Sequence, residues 1–280
     1  MILATLKARQ SFAEIAALDE DALSLDRAAL AMALEEYPDL DIPEYLRKID
    51  VLATRAEVLI GVDRAPVNVI EGINEALFVQ EGLRGNSEDY YDPRNSYLNE
   101  VLDRKLGIPI SLSLLYMEVS KRIGFPIRGV GFPGHFLVKH VAGEKEIIVD
   151  PFNLGRILTW NDCQELLDKM YKDTVTMSAS LLQAMGKRTI LTRMLYNLKG
   201  IYTQKEQYLK ALSIIEKILM LNPGTPSELR DRGLLYMETS LFAKALADLE
   251  AYLSQRIAPD DSTYIKNHIK MLRSIVCATN

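Results

Sequence analysis

Residues 107–150 read GIPISLSLLYMEVSKRIGFPIRGVGFPGHFLVKHVAGEKEIIVD, and the apolar period changes halfway through. Leu112, Leu115, Val119 and Ile123 recur every three or four positions, the spacing of one helix face, so a helix is predicted over Ser111–Ile123. Pro109 suits the first turn of that helix, where its missing amide would have no helical partner. Gly124 and Pro126 end it. Beyond them the apolar residues fall into three short runs, Ile127–Val130, Phe136–Val141 and Ile147–Val149, separated by Gly131-Phe132-Pro133-Gly134 and by Gly143-Glu144. These are predicted strands. A helix packed on a small antiparallel sheet buries both patterns at once.

Upstream, Ser11–Leu83 is helical in pattern, with breaks near Pro38-Asp39, Ile42-Pro43 and Ala65-Pro66. Leu46, Ile49, Leu52, Ala53 and Ala56 form one apolar face, and Val69, Ile70, Ile73 and Leu77 another. Arg84–Arg94 is rich in Gly, Asn, Asp and Ser and reads as a connector, followed by a helical segment over Tyr97–Leu106. From Leu158 the helical period is expected to persist to the end of the chain. The C-terminal third repeats itself: Tyr202, Tyr208, Ala211, Leu212 and Leu219 recur 34 positions later as Tyr236, Phe242, Ala245, Leu246 and Leu253. A 34-residue period is that of the tetratricopeptide repeat. Asn222-Pro223 and Ala258-Pro259 close the two units, while Lys199, Glu206 and Ser240 stand where such repeats favour glycine. Two repeats need a cap, which Ile265, Ile269, Leu272 and Val276 on one face of Ser262–Val276 can supply. The division expected is 1–92 helical, 93–185 core and 186–280 repeats with a capping helix. The fold class is α+β, mostly helical.

Composition excludes several function classes. The 280 residues are 48% hydrophobic and 25% charged, ordinary for a globular protein, and no stretch approaches the ~18 apolar residues of a membrane span. A cytoplasmic protein is the expectation, as the N-terminus shows no basic leader with an apolar run behind it. The net charge is −5, unevenly spread: residues 1–100 hold 20 acidic against 9 basic side chains, and the remainder 18 against 24. No basic cluster could follow a phosphate backbone, so direct nucleic-acid binding and direct transcription control are not expected. Cys163 and Cys277 are far apart, and His135, His140 and His268 form no ligand spacing. Neither metal nor cofactor is expected.

The order Gly107-Ile108-Pro109, Gly124-Phe125-Pro126-Ile127-Arg128, Pro133-Gly134-His135 and Val149-Asp150-Pro151 resembles the transglutaminase-like core of the papain superfamily. That family opens its helix with Gly-x-Cys, and its histidine and aspartate arrive on two successive strands. The resemblance matches His135 to the histidine, Asp150 to its acidic partner and Pro109 to the cysteine. Proline has no nucleophilic atom, so the resemblance implies a scaffold without its catalyst. The whole chain, with GIPISLSLLY, GFPGHFLV, VDPFN and the C-terminal repeats, resembles a bacterial family that joins such a core to tetratricopeptide repeats, some of whose members are labelled regulators of expression.

A serine could replace the cysteine only if it reached His135. Moving four residues along a helix turns a side chain by about 40° and moving two by about 200°, so Ser113 is better placed than Ser111. Asn95 and Asn99 could present amides toward the site, and Tyr90, Tyr91 and Tyr97 could line a groove. The leading expectation is a non-catalytic scaffold or regulator that binds a protein or peptide segment. Its binding face would lie on the first helices of the repeats, at Arg193, Asn197, Gly200, Asp231, Leu234 and Glu238. The alternative is a hydrolase or acyltransferase on amide or ester bonds, using His135 with Ser113.

Overall fold

The helix at the centre of the first unit is buried on every side over most of its length. In the computed structural model, which describes residues 2–143, 145–172, 174–255 and 261–279, every residue from Pro109 to Ser120 is buried. The expected single apolar stripe is therefore a fully enclosed helix, covered by N-terminal helices on one side and a sheet on the other. Its composition allows such burial: Ser111, Ser113 and Ser120 are small enough to lie under neighbouring elements.

The backbone forms two compact units, residues 1–194 and 195–280. In the first, α1 (Ile2–Ala16), α2 (Leu25–Ala33), α3 (Ile42–Ile60) and α4 (Pro66–Asn74) precede the core. Pro43 and Pro66 occupy first turns, and Asp41 caps α3 by accepting the Glu44 amide. Leu46, Ile49, Leu52, Ala53 and Ala56 are buried, as are Val69, Ile70, Ile73 and Leu77. Glu75–Gln80 continues α4 as a π-helical segment. Strand β1 (Arg84–Gly85) then pairs in parallel with β2 (Leu106–Gly107), which flank the short α5 (Leu98–Arg104). This two-residue pairing left no period in the sequence.

Helix α6 (Pro109–Arg122) leads into a four-stranded antiparallel sheet ordered β3 (Ile127–Val130), β4 (Leu137–Ala142), β5 (Lys145–Asp150) and β6 (Arg156–Leu158). The fourth strand was not expected. Leu154 (φ 56°) and Gly155 (φ 74°) reverse the chain after Asp150, and the three-residue strand pairs Leu158 with Ile148. Gly143 turns between β4 and β5 with φ 64°; its neighbour Glu144 lies outside the described residues.

Helix α7 (Trp160–Tyr171) starts from a capping box in which Thr159 and Asp162 exchange hydrogen bonds. Its Cys163 and Leu167 pack with Val130, Leu137, Ile148 and Leu158. The expected unbroken helical run then fails: Lys172 ends α7 in a left-handed conformation, a 3-10 turn covers Ala179–Leu182, and Ala184 bridges Val130 at the sheet edge. That segment spends its backbone polar groups on the sheet instead of on a helix.

Helix α8 (Lys187–Gln204) begins in the first unit and ends in the second, followed by α9 (Tyr208–Leu221), α10 (Pro226–Glu238), α11 (Phe242–Ser254) and α12 (Ser262–Thr279). The repeat residues Tyr202, Ala211, Leu212, Tyr236 and Ala245 are buried, and α12 buries Ile265, Ile269 and Leu272 as the cap. The two repeats turn identically. Glu206 (φ 55°) and Ser240 (φ 58°) are left-handed, and the next amides, Gln207 and Leu241, donate back to the Tyr202 and Tyr236 carbonyls at 2.9 and 2.8 Å. Those are the positions where glycine is usual, because a left-handed residue carries a Cβ penalty. Ala258 and Pro259 lie outside the described residues.

Candidate functional site

Three local features assemble the site. The first is the start of α6. Ile108 is extended, its amide donates to Ser111 Oγ at 3.0 Å, and that hydroxyl donates to the Asn95 carbonyl at 2.6 Å. Gly107 is required there, because a Cβ would stand 2.9 Å from Ser111 Oγ and Leu112 Cγ. Pro109 takes the first helical position and is buried.

The second is the loop before β4. Gly134 has φ 65°, and the His135 amide donates to the Phe132 carbonyl at 3.0 Å, so a tight turn delivers His135 just ahead of the strand. The third is the end of β5. Asp150 Oδ1 accepts the amides of Phe152 and Asn153 at 3.1 and 3.3 Å, and Oδ2 accepts the Asn153 side-chain amide at 2.6 Å. The β4–β5 hairpin, which pairs Val138 with Val149, brings the two together. His135 Nε2 lies 3.0 Å from both Asp150 oxygens.

Asp150 is fully buried and His135 is 7% exposed. A carboxylate held by three other donors orients the ring, so a neutral imidazole carries its proton on Nε2 and leaves the Nδ1 lone pair outward. Among the described residues Nδ1 has no protein hydrogen-bond partner. The Phe152 ring stands edge-on to His135 with centroids 5.9 Å apart, and Tyr90 packs edge-on to Phe152 at 6.4 Å. A Cβ on Gly85 would lie 2.6 Å from the Phe152 ring, so β1 passes directly beneath this aromatic. Asn74 donates to the Gly155 carbonyl at 2.8 Å and accepts from Tyr116 at 3.1 Å, tying α4 to the turn behind Asp150.

The candidate nucleophiles are otherwise engaged. Ser113 is fully buried and its hydroxyl donates to the Phe136 carbonyl at 3.4 Å; it makes no hydrogen bond to His135. Ser111 serves Asn95 and Ile108, as above. Cys163 is buried, and burial first, with the Asp162 and Asp150 charges behind it, pushes its thiol up to about 11, the wrong direction for a nucleophile. Asn95 pins the Asn86–Tyr90 loop, with its amide donating to the Asp89 carbonyl at 2.7 Å and its oxygen accepting from Asn86 at 3.1 Å. Asn99 is buried with its carbonyl oxygen unpaired, and Tyr97 is buried, so neither lines an open groove. Among the described residues no group of three His, Cys, Asp or Glu side chains gathers for a metal, and no helix is long and apolar enough to cross a membrane.

On the repeats, Asn197, Gly200 and Glu238 are exposed and Leu234 is half-buried. Asp231 is tied up: Lys199 reaches both Asp231 and the buried Glu228 at 2.7 Å. This explains Lys199 in a glycine position. Its counterpart 34 residues on, Gly233, admits Leu249, whose Cδ2 would be 2.7 Å from a Cβ there. Arg193 departs from the set expected on the repeat face. It belongs to the first unit, where Nη2 donates to the His135 carbonyl at 3.1 Å and the guanidinium lies 5.4 Å from the Phe136 ring centroid. A contact across 58 residues has no local sequence signal. Phe152 and Asn153 also went unrecognised as site residues, although Asp-Pro-x-Asn is a turn signature.

A separate cavity of about 740 Å3 lies between the Glu20–Asp21 loop, the end of α6 and the edge of β3. It contains neither His135 nor Asp150. The Glu20 carboxylate in its wall already accepts the Lys187 and Arg188 amides, and Glu118 pairs with Arg122 at 3.0 Å.

Two family models match, one described as the transglutaminase-like superfamily over residues 43–196 and one as the tetratricopeptide repeat over 198–270. A UPF0162 protein of Xylella fastidiosa is 38% identical over 263 residues, covering 91% of this chain and 92% of that one. A UPF0162 protein of Vibrio cholerae is 30% identical, with 87% and 89% covered. F-box only protein 21 of Mus musculus is 36% identical over 138 residues, which cover 46% of this chain and 21% of that protein. The chain belongs to the UPF0162 family, a transglutaminase-like core followed here by tetratricopeptide repeats.

Proposed function

We propose that this protein is a non-catalytic scaffold or regulator that holds a protein or peptide segment on its repeats. One observation carries the reading: Pro109 stands at the position the resemblance assigns to cysteine, while both nearby hydroxyls are spent on backbone carbonyls. Nucleophilic catalysis needs a nucleophile within hydrogen-bond reach of its base, ~2.6–3.2 Å, and His135 has none among the described residues. What remains is an oriented imidazole with nothing to activate. The repeats support a binding role, since tetratricopeptide helices commonly present side chains to a partner segment.

Gly200 offers a clean test. It is exposed, its φ is ordinary and a Cβ there meets nothing within 4 Å, so Gly200→Arg obstructs the face without straining α8. Quantitative capture from lysate with the full chain should enrich partners that Gly200→Arg loses at unchanged thermal stability. A fluorophosphonate probe, read by intact mass, should add nothing to the wild type. Stoichiometric labelling that disappears in Ser113→Ala would overturn the reading in favour of a serine hydrolase.

A further inference from the structure

The geometry points to a carboxylate-recognition site beside His135, formed by Arg193 with Tyr90, for an acidic group on a peptide ligand. This goes beyond the repeat-face reading, because it lies wholly within the first unit.

Arg193 is half-buried and makes no ion pair with any described residue. Its interactions are the His135 carbonyl at 3.1 Å, the Met185 sulfur at 3.8 Å and the Phe136 ring. None of these neutralises a charge. By contrast, the half-buried cations Arg122, Lys199 and Arg232 each have a carboxylate partner within 3 Å. A guanidinium has five N–H donors, and the contacts above leave most of them unspent.

The surroundings suit an anion. The Gly131 backbone lies directly against the guanidinium, since a Cβ there would stand 2.5 Å from Arg193 Nη1 and 2.3 Å from the Met185 sulfur. Tyr90 lies within electrostatic range of Arg193 and also packs on Phe152, which packs on His135. Tyr90 and Phe152 thus form one aromatic wall beside the imidazole, and the guanidinium reaches the backbone of the same histidine. Burial lowers the Arg193 guanidinium from its ordinary value, as befits a cation without a counter-ion, and burial raises the Tyr90 hydroxyl, so that it stays a donor. Tyr91, next to Tyr90, and Met170, whose sulfur stands against Gly134, are exposed at 63% and 39%, and offer apolar contact to the residues flanking an acidic group. A single unpaired cation matches a monoanion better than a dianionic phosphate.

The test titrates the full chain with three fluorescein-labelled random hexapeptide pools. One has a free C-terminal carboxylate, one is amidated with a fixed central glutamate, and one is amidated without acidic residues. One acid-bearing pool should bind about tenfold tighter than the neutral pool, with the gap narrowing as salt rises; which pool it is identifies a chain end or a side chain as the source. Arg193→Gln should reduce that pool to the neutral level, Arg193→Lys should retain part of the preference, and Tyr90→Phe should cost about twofold. Urea unfolding of each variant checks that it is folded. Equal binding of all pools, no binding, or a preference that survives Arg193→Gln overturns the assignment, as does inorganic phosphate competing better than acetate. Loss of the preference in Gly200→Arg but not in Arg193→Gln overturns it too, while leaving the repeat-face reading standing.

Discussion

Replacing Asp150 by alanine should destabilise the first unit far more than replacing His135. The Asp150 carboxylate is fully buried and accepts from four donors: the His135 ring, two backbone amides and the Asn153 side chain. Its removal takes the acceptor from the buried His135 ring and from two backbone amides, while the exposed Asn153 side chain can turn to water. A donor left without its acceptor costs about 1–3 kcal/mol, so the ring and the two amides, the amides only part-buried, together cost about 3–5 kcal/mol. His135→Ala leaves Asp150 with three donors, so its loss should be about 1–2 kcal/mol. At about 2–4 °C per kcal/mol for a unit of this size, Asp150→Ala should melt roughly 6–20 °C lower. The chain has one tryptophan, Trp160, half-exposed at the start of α7 within the first unit. Its fluorescence in a urea titration therefore reports on that unit alone. A loss below about 1 kcal/mol in Asp150→Ala, or one no larger than in His135→Ala, would refute the argument that this carboxylate organises the site.

The second unit should depend on Lys199. Lys199→Ala abandons the buried Glu228 and should cost about 2–4 kcal/mol, of which Glu228→Gln in the same chain should restore at least half; far-UV circular dichroism through a double-mutant cycle measures both. Glu206→Gly and Ser240→Gly should each stabilise by about 0.5–1 kcal/mol by relieving left-handed strain, seen as a higher urea midpoint, whereas Ser240→Ala should not. Asp26 faces burial, which opposes its charge, yet the Ser24 hydroxyl and the Arg122 guanidinium hold it below its ordinary value of 3.8. Its folded pKa is depressed, so its contribution is present above the unfolded value and lost as pH falls through the folded one. Asp26→Asn should accordingly lower the urea midpoint at pH 7 and narrow the difference between pH 7 and pH 3. An unchanged difference would sink the assignment.

Local pattern carried much of the fold into the sequence. The spacing of Leu112, Leu115, Val119 and Ile123 dictates a helix wherever it sits, because 3.6-residue periodicity aligns those side chains on one face. The 34-residue recurrence from Tyr202 to Tyr236 specifies the repeats, and the turns after Tyr202 and Tyr236 are the same hydrogen-bonded turn twice over. His135 and Asp150 were legible through the resemblance, and the β4–β5 hairpin that joins them is itself local. What tertiary structure alone decided is which side chains share a charge or an enclosure. Arg122 meets Asp26 across 96 residues, Asn74 meets Gly155 across 81, and Arg193 turns from the repeat face to His135 across 58. The full enclosure of α6 and the pairing of β6 belong with these. A periodic pattern tells a residue whether to be buried, since burial depends on one element's own geometry; the identity of its partner depends on how separate elements pack, and no short stretch of chain encodes that.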